Sequence, residues 1–292
     1  MKQRSRLVVA LILAIAVICL LGYFISHSTV ELLSPAGSIA DHERSLIIFA
    51  TVLSSVVILP VFALTAWIVW RYRASNMHAP YDPQWDHNRL IESIWWLIPS
   101  ILIAVLAAVT WRSSHTLDPR VALRSDKPAV NIQVVALQWK WLFIYPEQGV
   151  ASVNTLMMPV NRAVHFDITA DAPMNSFWIP QLGGQIYAMP GMSTQLNLDA
   201  SKIGTYRGSS ANLSGAGFAA MDFQTHAVSQ SDFTNWTSTL HSQDSRLSSA
   251  DYARLREPSE TGVMEFGGVQ TGLYQSIIDK YMGGHTHMEM GT

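Results

Sequence analysis

Hydrophobic and polar positions divide the chain into three regimes. Residues 1–111 contain three uncharged apolar runs: Leu7–Ile25 of 19 residues, Ser45–Trp70 of 26 and Ser93–Trp111 of 19. At 1.5 Å per residue, each is long enough as a helix to cross roughly 30 Å of hydrocarbon. After Arg112 apolar residues recur at every second position instead: Val130, Ile132 and Val134; Val164, Phe166 and Ile168; Leu196 and Leu198; Met221 and Phe223. Short period-two segments separated by Pro, Gly, Asn and Asp predict an antiparallel sandwich or barrel. Beyond residue 228 the period lengthens. Phe233, Trp236 and Leu240 share one helical face, and Leu273, Ile277 and Tyr281 share another that stops at Gly283-Gly284.

This pattern sets four segments. Residues 1–28 form a signal peptide or an N-terminal transmembrane helix, and 29–117 a transmembrane hairpin with helices at about 45–70 and 93–111. Residues 118–228 form an all-β domain, and 229–292 a C-terminal helical arm with a flexible tail. A basic start, an apolar stretch and Ser26-His27-Ser28 suit a cleaved signal, while a 19-residue core also suits a retained helix. Lys2, Arg4 and Arg6 before the first run, and Arg71, Arg73 and Arg89 between the second and third, place both segments on the cytoplasmic side. The β domain is then extracytoplasmic whether or not the first run is cleaved. Trp67, Trp70, Trp95, Trp96 and Trp111 sit near run ends and suit an aromatic belt at the headgroup level.

Charge and cysteine content narrow the chemistry. Only 14% of residues are charged, against about 25% in an ordinary soluble domain. Residues 1–111 carry 7 Lys+Arg and 6 Asp+Glu, and the remaining 181 carry 12 and 15, so neither part is basic enough for nucleic acid. The single cysteine, Cys19, lies within the first apolar run, which rules out an intrachain disulfide and any site needing two thiolates.

The segments VVALQWKWLFIYP (Val134–Pro146) and NSFWIPQLGGQIYAMPGM (Asn175–Met192), behind two closely spaced apolar runs, resemble subunit II of the haem-copper terminal oxidases. The resemblance covers nearly the whole chain and implies a cupredoxin-like sandwich for the β domain. Members that oxidise cytochrome c hold a binuclear copper centre there. Its signature is a His ahead of W-x-x-P-x-L-G, followed by C-x-E-x-C-x-x-x-H-x-x-M. In this chain the first position is Asn175, and Ser210–Met221 reads SANLSGAGFAAM. Carried over, the two cysteines become Ser210 and Ser214, the glutamate between them Asn212 and the second histidine Phe218; only Met221 keeps a ligand type. Protonated hydroxyls and a phenyl ring do not suit soft, redox-active copper.

That loss makes the chain similar to the quinol oxidase branch, in particular the cytochrome bo-type ubiquinol oxidases, because a donor arriving within the bilayer needs no extracytoplasmic copper relay. The resemblance implies a proton-pumping oxidase of the bacterial inner membrane. Its partners would be a large subunit I carrying the haems and copper, further small membrane subunits, membrane lipid and ubiquinol. Cytochrome c is not among them, and this chain would bind no cofactor itself. Glu92, at the start of the third run, matches an acid the family places near a proton-uptake channel; it also suits an ordinary first-turn acid at the positive end of a helix dipole. Trp139 and Trp141 suit either core packing or contact with the large subunit.

Other features carry less. Lipidation of Cys19 is disfavoured by the bulky Ile18 before it, and a buried apolar thiol is the simpler account. His78, His87, His165 and His226 lack metal-ligand spacing. The terminal cluster of His285, His287, Met288 and Met290 is the basis of a rival reading, a membrane-tethered cupredoxin-like copper chaperone or assembly factor.

Overall fold

The computed structural model describes residues 30–282 except 81–83, 85, 86 and 126, together with 20, 22 and 23. The alternatives for residues 1–28 fall almost wholly outside these, and Cys19 and the His/Met tail fall outside entirely. The chain forms two units, residues 42–121 and residues 122–292 together with the segment up to 41.

The second and third apolar runs form helices α1 (Ser38–Arg71) and α2 (Arg89–Thr116), both long and apolar enough to cross a membrane. Both extend past the apolar runs into polar flanks. Within α1, Thr51, Ser55 and Thr65 each donate a hydroxyl hydrogen bond to the carbonyl four residues earlier, at 2.7 Å. Polar side chains are thereby satisfied without water. Asn88 caps α2: its side chain accepts from the amides of Leu90 and Ile91 at 3.0 and 3.1 Å.

The β unit is a two-sheet sandwich. Its strands are β1 (Val130–Leu137), β2 (Lys140–Tyr145), β3 (Val150–Val153), β4 (Thr155–Pro159), β5 (Ala163–Ala170), β6 (Asn175–Trp178), β7 (Ile186–Ala188), β8 (Thr194–Asp199), β9 (Gly204–Ser210) and β10 (Asp222–Val228). Two short strands of the C-terminal region, β11 (Arg246–Leu247) and β13 (Gly268–Val269), pair with each other, and β12 (Met264–Phe266) joins the larger sheet. The sheet orders are β12-β3-β2-β1-β5-β8 and β4-β10-β9-β6-β7. Every alternating apolar residue read from the sequence is buried between the sheets. The sandwich predicted from the pattern forms, and most of its strand pairs are antiparallel as expected, but two are not. β1 pairs with β5, and β4 with β10, in parallel. Alternation reports which face of a strand is buried, not which neighbour it pairs with.

The core between the sheets is aromatic. Phe177 and Phe223 stack at 5.2 Å with an interplanar angle of 6°, and Trp141 meets both edge-on, at 5.4 and 5.8 Å. A second core lies on the outer face of the larger sheet, where Val135, Leu137, Leu142, Ile144, Ala151 and Val153 are all buried. What covers them is the C-terminal region, which is not purely helical as the period predicted. Besides the three short strands it contains α3 (Gln230–His241), α4 (Ser249–Leu255) and α5 (Leu273–Met282). Leu247, Tyr252 and Leu255 pack there with Leu273, Tyr274, Ile277 and Ile278.

Two buried charges pin this arm to the sandwich. Lys140, 1% exposed, donates through Nζ to the carbonyls of Leu255 and Glu257, each at 3.0 Å, and to Ser259 Oγ at 2.5 Å. Asp171, just past β5, has a side chain 1% exposed. Its Oδ2 accepts from the Tyr252 hydroxyl at 2.7 Å, and its Oδ1 from Lys280 Nζ at 2.5 Å and the Tyr281 hydroxyl at 2.6 Å. Burial pushes the Asp171 carboxyl up, but these three donors outweigh it and hold the group below its ordinary value. Its clasp therefore stabilises the arm above the unfolded pKa of about 3.9, and that contribution disappears as pH falls through the lower folded value.

Asp171→Ala strips three donors of their acceptor and is expected to cost about 3 kcal/mol. Urea denaturation of the full chain in detergent, with proteolysis of the arm as a second readout, checks this. An unchanged midpoint at pH 7 contradicts the clasp. Wild type is expected to approach the variant's behaviour as pH is lowered below about 4.

Candidate functional site

The positions aligned with the family's metal loop converge at one end of the smaller sheet. β6 and β9 are antiparallel neighbours with Phe177 opposite Ser210, which brings Asn175 at the start of β6 to the end of β9. The chain then turns through 211–217 and a 3-10 turn, Phe218–Ala220, before Met221 leads into β10.

Side chains hold this loop by bonding to one another and to nearby backbone carbonyls. Ser210 Oγ lies 3.1 Å from Asn175 Oδ1 and 3.2 Å from the Asn212 carbonyl, and its single proton serves one acceptor at a time. Asn175 Nδ2 donates to the Pro173 carbonyl at 2.7 Å, and Asn212 Nδ2 to that of Met174 at 2.9 Å. Ser214 Oγ points at the sulfur of Met221, at 3.9 Å. Asn175, Ser210 and Met221 are buried. Phe218 opens the 3-10 turn and is half-buried.

Two tryptophans brace the loop from the β1–β2 hairpin. Trp139 adopts a left-handed backbone, φ 67°, and its indole N–H donates to the Ser214 carbonyl at 3.3 Å. Its ring lies so close to Gly217 that a Cβ there would fall 2.3 Å from a ring carbon, so only glycine fits. Trp141 donates to the Met221 carbonyl at 3.4 Å and is fully buried. Trp141 packs in the aromatic core between the sheets, against Phe177 and Phe223. Trp139, half-buried, retains some accessible ring.

The donor set does not fit a copper centre. No thiolate or imidazole stands at any aligned position, and the hydroxyl and amide groups present are engaged with each other or with nearby carbonyls. Imidazoles in the sandwich sit elsewhere: His165 Nδ1 contacts Asn197 Oδ1 at 2.9 Å, and His226 Nδ1 contacts Thr205 Oγ1 at 3.1 Å. Among the described residues no group of three or more His, Cys, Asp or Glu could hold a metal ion.

Glu92 lies in the first turn of α2, half-buried, and its Oε1 accepts from the Asn88 amide at 3.2 Å. With Asn88 capping Leu90 and Ile91, the two side chains form a reciprocal helix cap. The clasp residues Asp171 and Lys140 escaped the sequence reading. A signal existed for Lys140, the sole charge in a run from Val134 to Tyr145 that is otherwise apolar or aromatic except for Gln138. Asp171, in the turn-like stretch ADAPMN, offered none.

A cupredoxin-like sandwich that follows two apolar helices and keeps a metal-loop frame without its thiolate and imidazole donors is the class of protein defined here. Residues 148–228 match the family model described as "Cytochrome C oxidase subunit II, periplasmic domain", and residues 241–285 match "COX Aromatic Rich Motif". The latter covers most of the arm, including Tyr252, Phe266, Tyr274 and Tyr281. The chain is 47% identical over 253 residues to the cytochrome bo(3) ubiquinol oxidase subunit 2 of Pseudomonas putida, covering 86% of this chain and 81% of that one. It is 45% identical over 257 residues to the ubiquinol oxidase subunit 2 of Acetobacter aceti, covering 87% and 83%. Among solved structures, the periplasmic domain of subunit II of cytochrome oxidase of Bradyrhizobium japonicum matches with 25% identity and a TM-score of 0.38, over 41% of this chain and 96% of that one. The chain belongs to the ubiquinol oxidase subunit 2 family.

The Ser210–Asn175 contact yields a specific expectation. Ser210→Ala removes one partner from a buried amide and is expected to cost about 1–2 kcal/mol. In a double-mutant cycle with Asn175→Ala, measured by chemical denaturation, coupling of at least about 0.5 kcal/mol is expected. Additive effects contradict the loop bracing described.

Proposed function

We propose that this chain is the non-redox subunit II of a bacterial inner-membrane ubiquinol:oxygen oxidoreductase. α1 and α2 anchor it, and the sandwich lies on the outer face against a large subunit that carries the haems and copper. Ubiquinol delivers electrons to that subunit from within the bilayer, and further small membrane subunits complete the complex. The observation that carries the reading is the intact metal-loop frame in which Asn175, Ser210, Asn212 and Ser214 make polar contacts within the loop region instead of supplying soft donors. Such a frame positions the loop and passes no electrons. For Glu92 we propose helix capping as the role its geometry supports, ahead of proton uptake.

The test is oxygen consumption by the complex purified through a tag on this chain, with ubiquinol and reduced cytochrome c supplied in parallel. Activity with ubiquinol alone is expected. Turnover with cytochrome c at a comparable rate contradicts the reading. Glu92→Gln retains an acceptor oxygen for the Asn88 amide and is expected to leave turnover and proton pumping within about twofold of wild type; loss of pumping with folding intact would give Glu92 the proton-uptake role instead.

A further inference from the structure

Only three residues separate Asp171, where the arm is clasped, from Asn175, where the metal-loop frame begins. At the frame end of this segment two carbonyls are bound: that of Pro173 accepts from Asn175 Nδ2 at 2.7 Å, and that of Met174 from Asn212 Nδ2 at 2.9 Å. At the arm end the Asp171 amide donates to the Ala136 carbonyl at 2.9 Å, while the carboxylate holds Tyr252, Lys280 and Tyr281. A segment this short, bonded at both ends, transmits a displacement of one end to the other.

Tyr281 reaches the same place by a second route. Gly191, in the turn after β7, has φ 72°, and a Cβ added there would lie 3.0 Å from the Tyr281 Cβ. That turn therefore rests directly on the last turn of α5. β7 is the antiparallel neighbour of β6, with Ala188 opposite Asn175, and only two residues separate Ala188 from Gly191. Asn175, one half of the buried Ser210–Asn175 contact, is thus flanked on its own strand and on the neighbouring strand by short segments that end on α5.

We propose that the last turn of α5 is a buttress for the metal-loop frame. Lys280 and Tyr281, acting through Asp171 and through the Gly191 turn, set the position of Asn175 and with it the rigidity of residues 210–218. Both are positioning residues, and their effect on the loop passes through these two segments. The coupling is carried by a contiguous chain of hydrogen bonds and one close backbone contact. It is also reciprocal, so that whatever steadies the loop steadies the end of the arm.

Hydrogen–deuterium exchange of the full chain in detergent, resolved into peptides by mass spectrometry, reads this coupling. Residues 208–214 report on the loop through the amides of Ser210 and Ala211, which donate to the carbonyls of Met221 at 3.3 Å and Ser176 at 3.0 Å. Residues 157–162, at the opposite end of the smaller sheet, are the control. The Lys280→Met, Tyr281→Phe variant removes two of the three donors to Asp171 and is expected to speed exchange in 208–214 about tenfold with the control unchanged. Gly191→Ala, which presses a methyl group on Tyr281 in a left-handed backbone, is expected to speed it about threefold. In the reverse direction, Asn212→Ala frees the Met174 carbonyl and is expected to speed exchange in 276–282. Faster exchange confined to α5 in the Lys280→Met, Tyr281→Phe variant, with 208–214 as in wild type, overturns the proposal. If that variant also speeds the control, it has unfolded as a whole and Asn212→Ala decides: exchange in 276–282 equal to wild type then overturns the proposal.

Discussion

The ribbon formed by β1 and β2 is apolar on both of its faces, and a two-sheet sandwich can cover only one of them. Val134, Trp141 and Phe143 point into the aromatic core, while Val135, Leu142 and Ile144 point out of it. Left to water, that outer face would expose several large side chains, each worth about 1.5–3 kcal/mol of burial. The C-terminal arm exists in its observed form because it answers this demand. It lays α4 and α5 over the exposed face, adds β12 to the open edge of the sheet, and satisfies the ribbon's one charge through the carbonyls beside Lys140. Asp171 closes the far side of the same contact.

The same ribbon governs the loop at the end of the smaller sheet. Its turn places Trp139 in a strained left-handed conformation directly over Gly217, and its first β2 aromatic, Trp141, holds Met221 by the backbone. Indole N–H groups hold this loop at its middle, through Ser214, and at its exit, through Met221. The side chains of Ser210, Asn175 and Asn212 are then satisfied by one another and by nearby backbone carbonyls, at ordinary hydrogen-bond distances. Scaffold and metal are in this sense separable: the frame depends on tryptophan and glycine, the redox chemistry on residues that are absent here.

Much of this was legible in the residue pattern, for identifiable reasons. Val130, Ile132 and Val134 announced a strand with one buried face, and the faces of α3 and α5 were visible in Phe233, Leu240, Leu273 and Ile277. The parallel joins of β1 with β5 and of β4 with β10 were not, because partner choice depends on connections between distant segments. Strands of two or three residues, such as β11 and β13, are too short to show any period. The loop positions Asn175, Ser210, Asn212, Ser214 and Met221 were identified as a set by resemblance, but nothing in residue type foretold that Ser210 would bond Asn175 or that the two asparagines would bond the carbonyls of Pro173 and Met174. Asp171 was hidden because a buried carboxylate and a solvated turn aspartate look alike until the donors around it are placed.

The central claim is that the frame is held by its own side chains and has no affinity for copper. The most direct measurement is copper content of the full-length chain in detergent, separated from its partners, incubated with excess copper under reducing and then oxidising conditions, and freed of loose metal by gel filtration. The account predicts no retained copper and no thiolate-to-copper absorption. Two coppers per chain would contradict it.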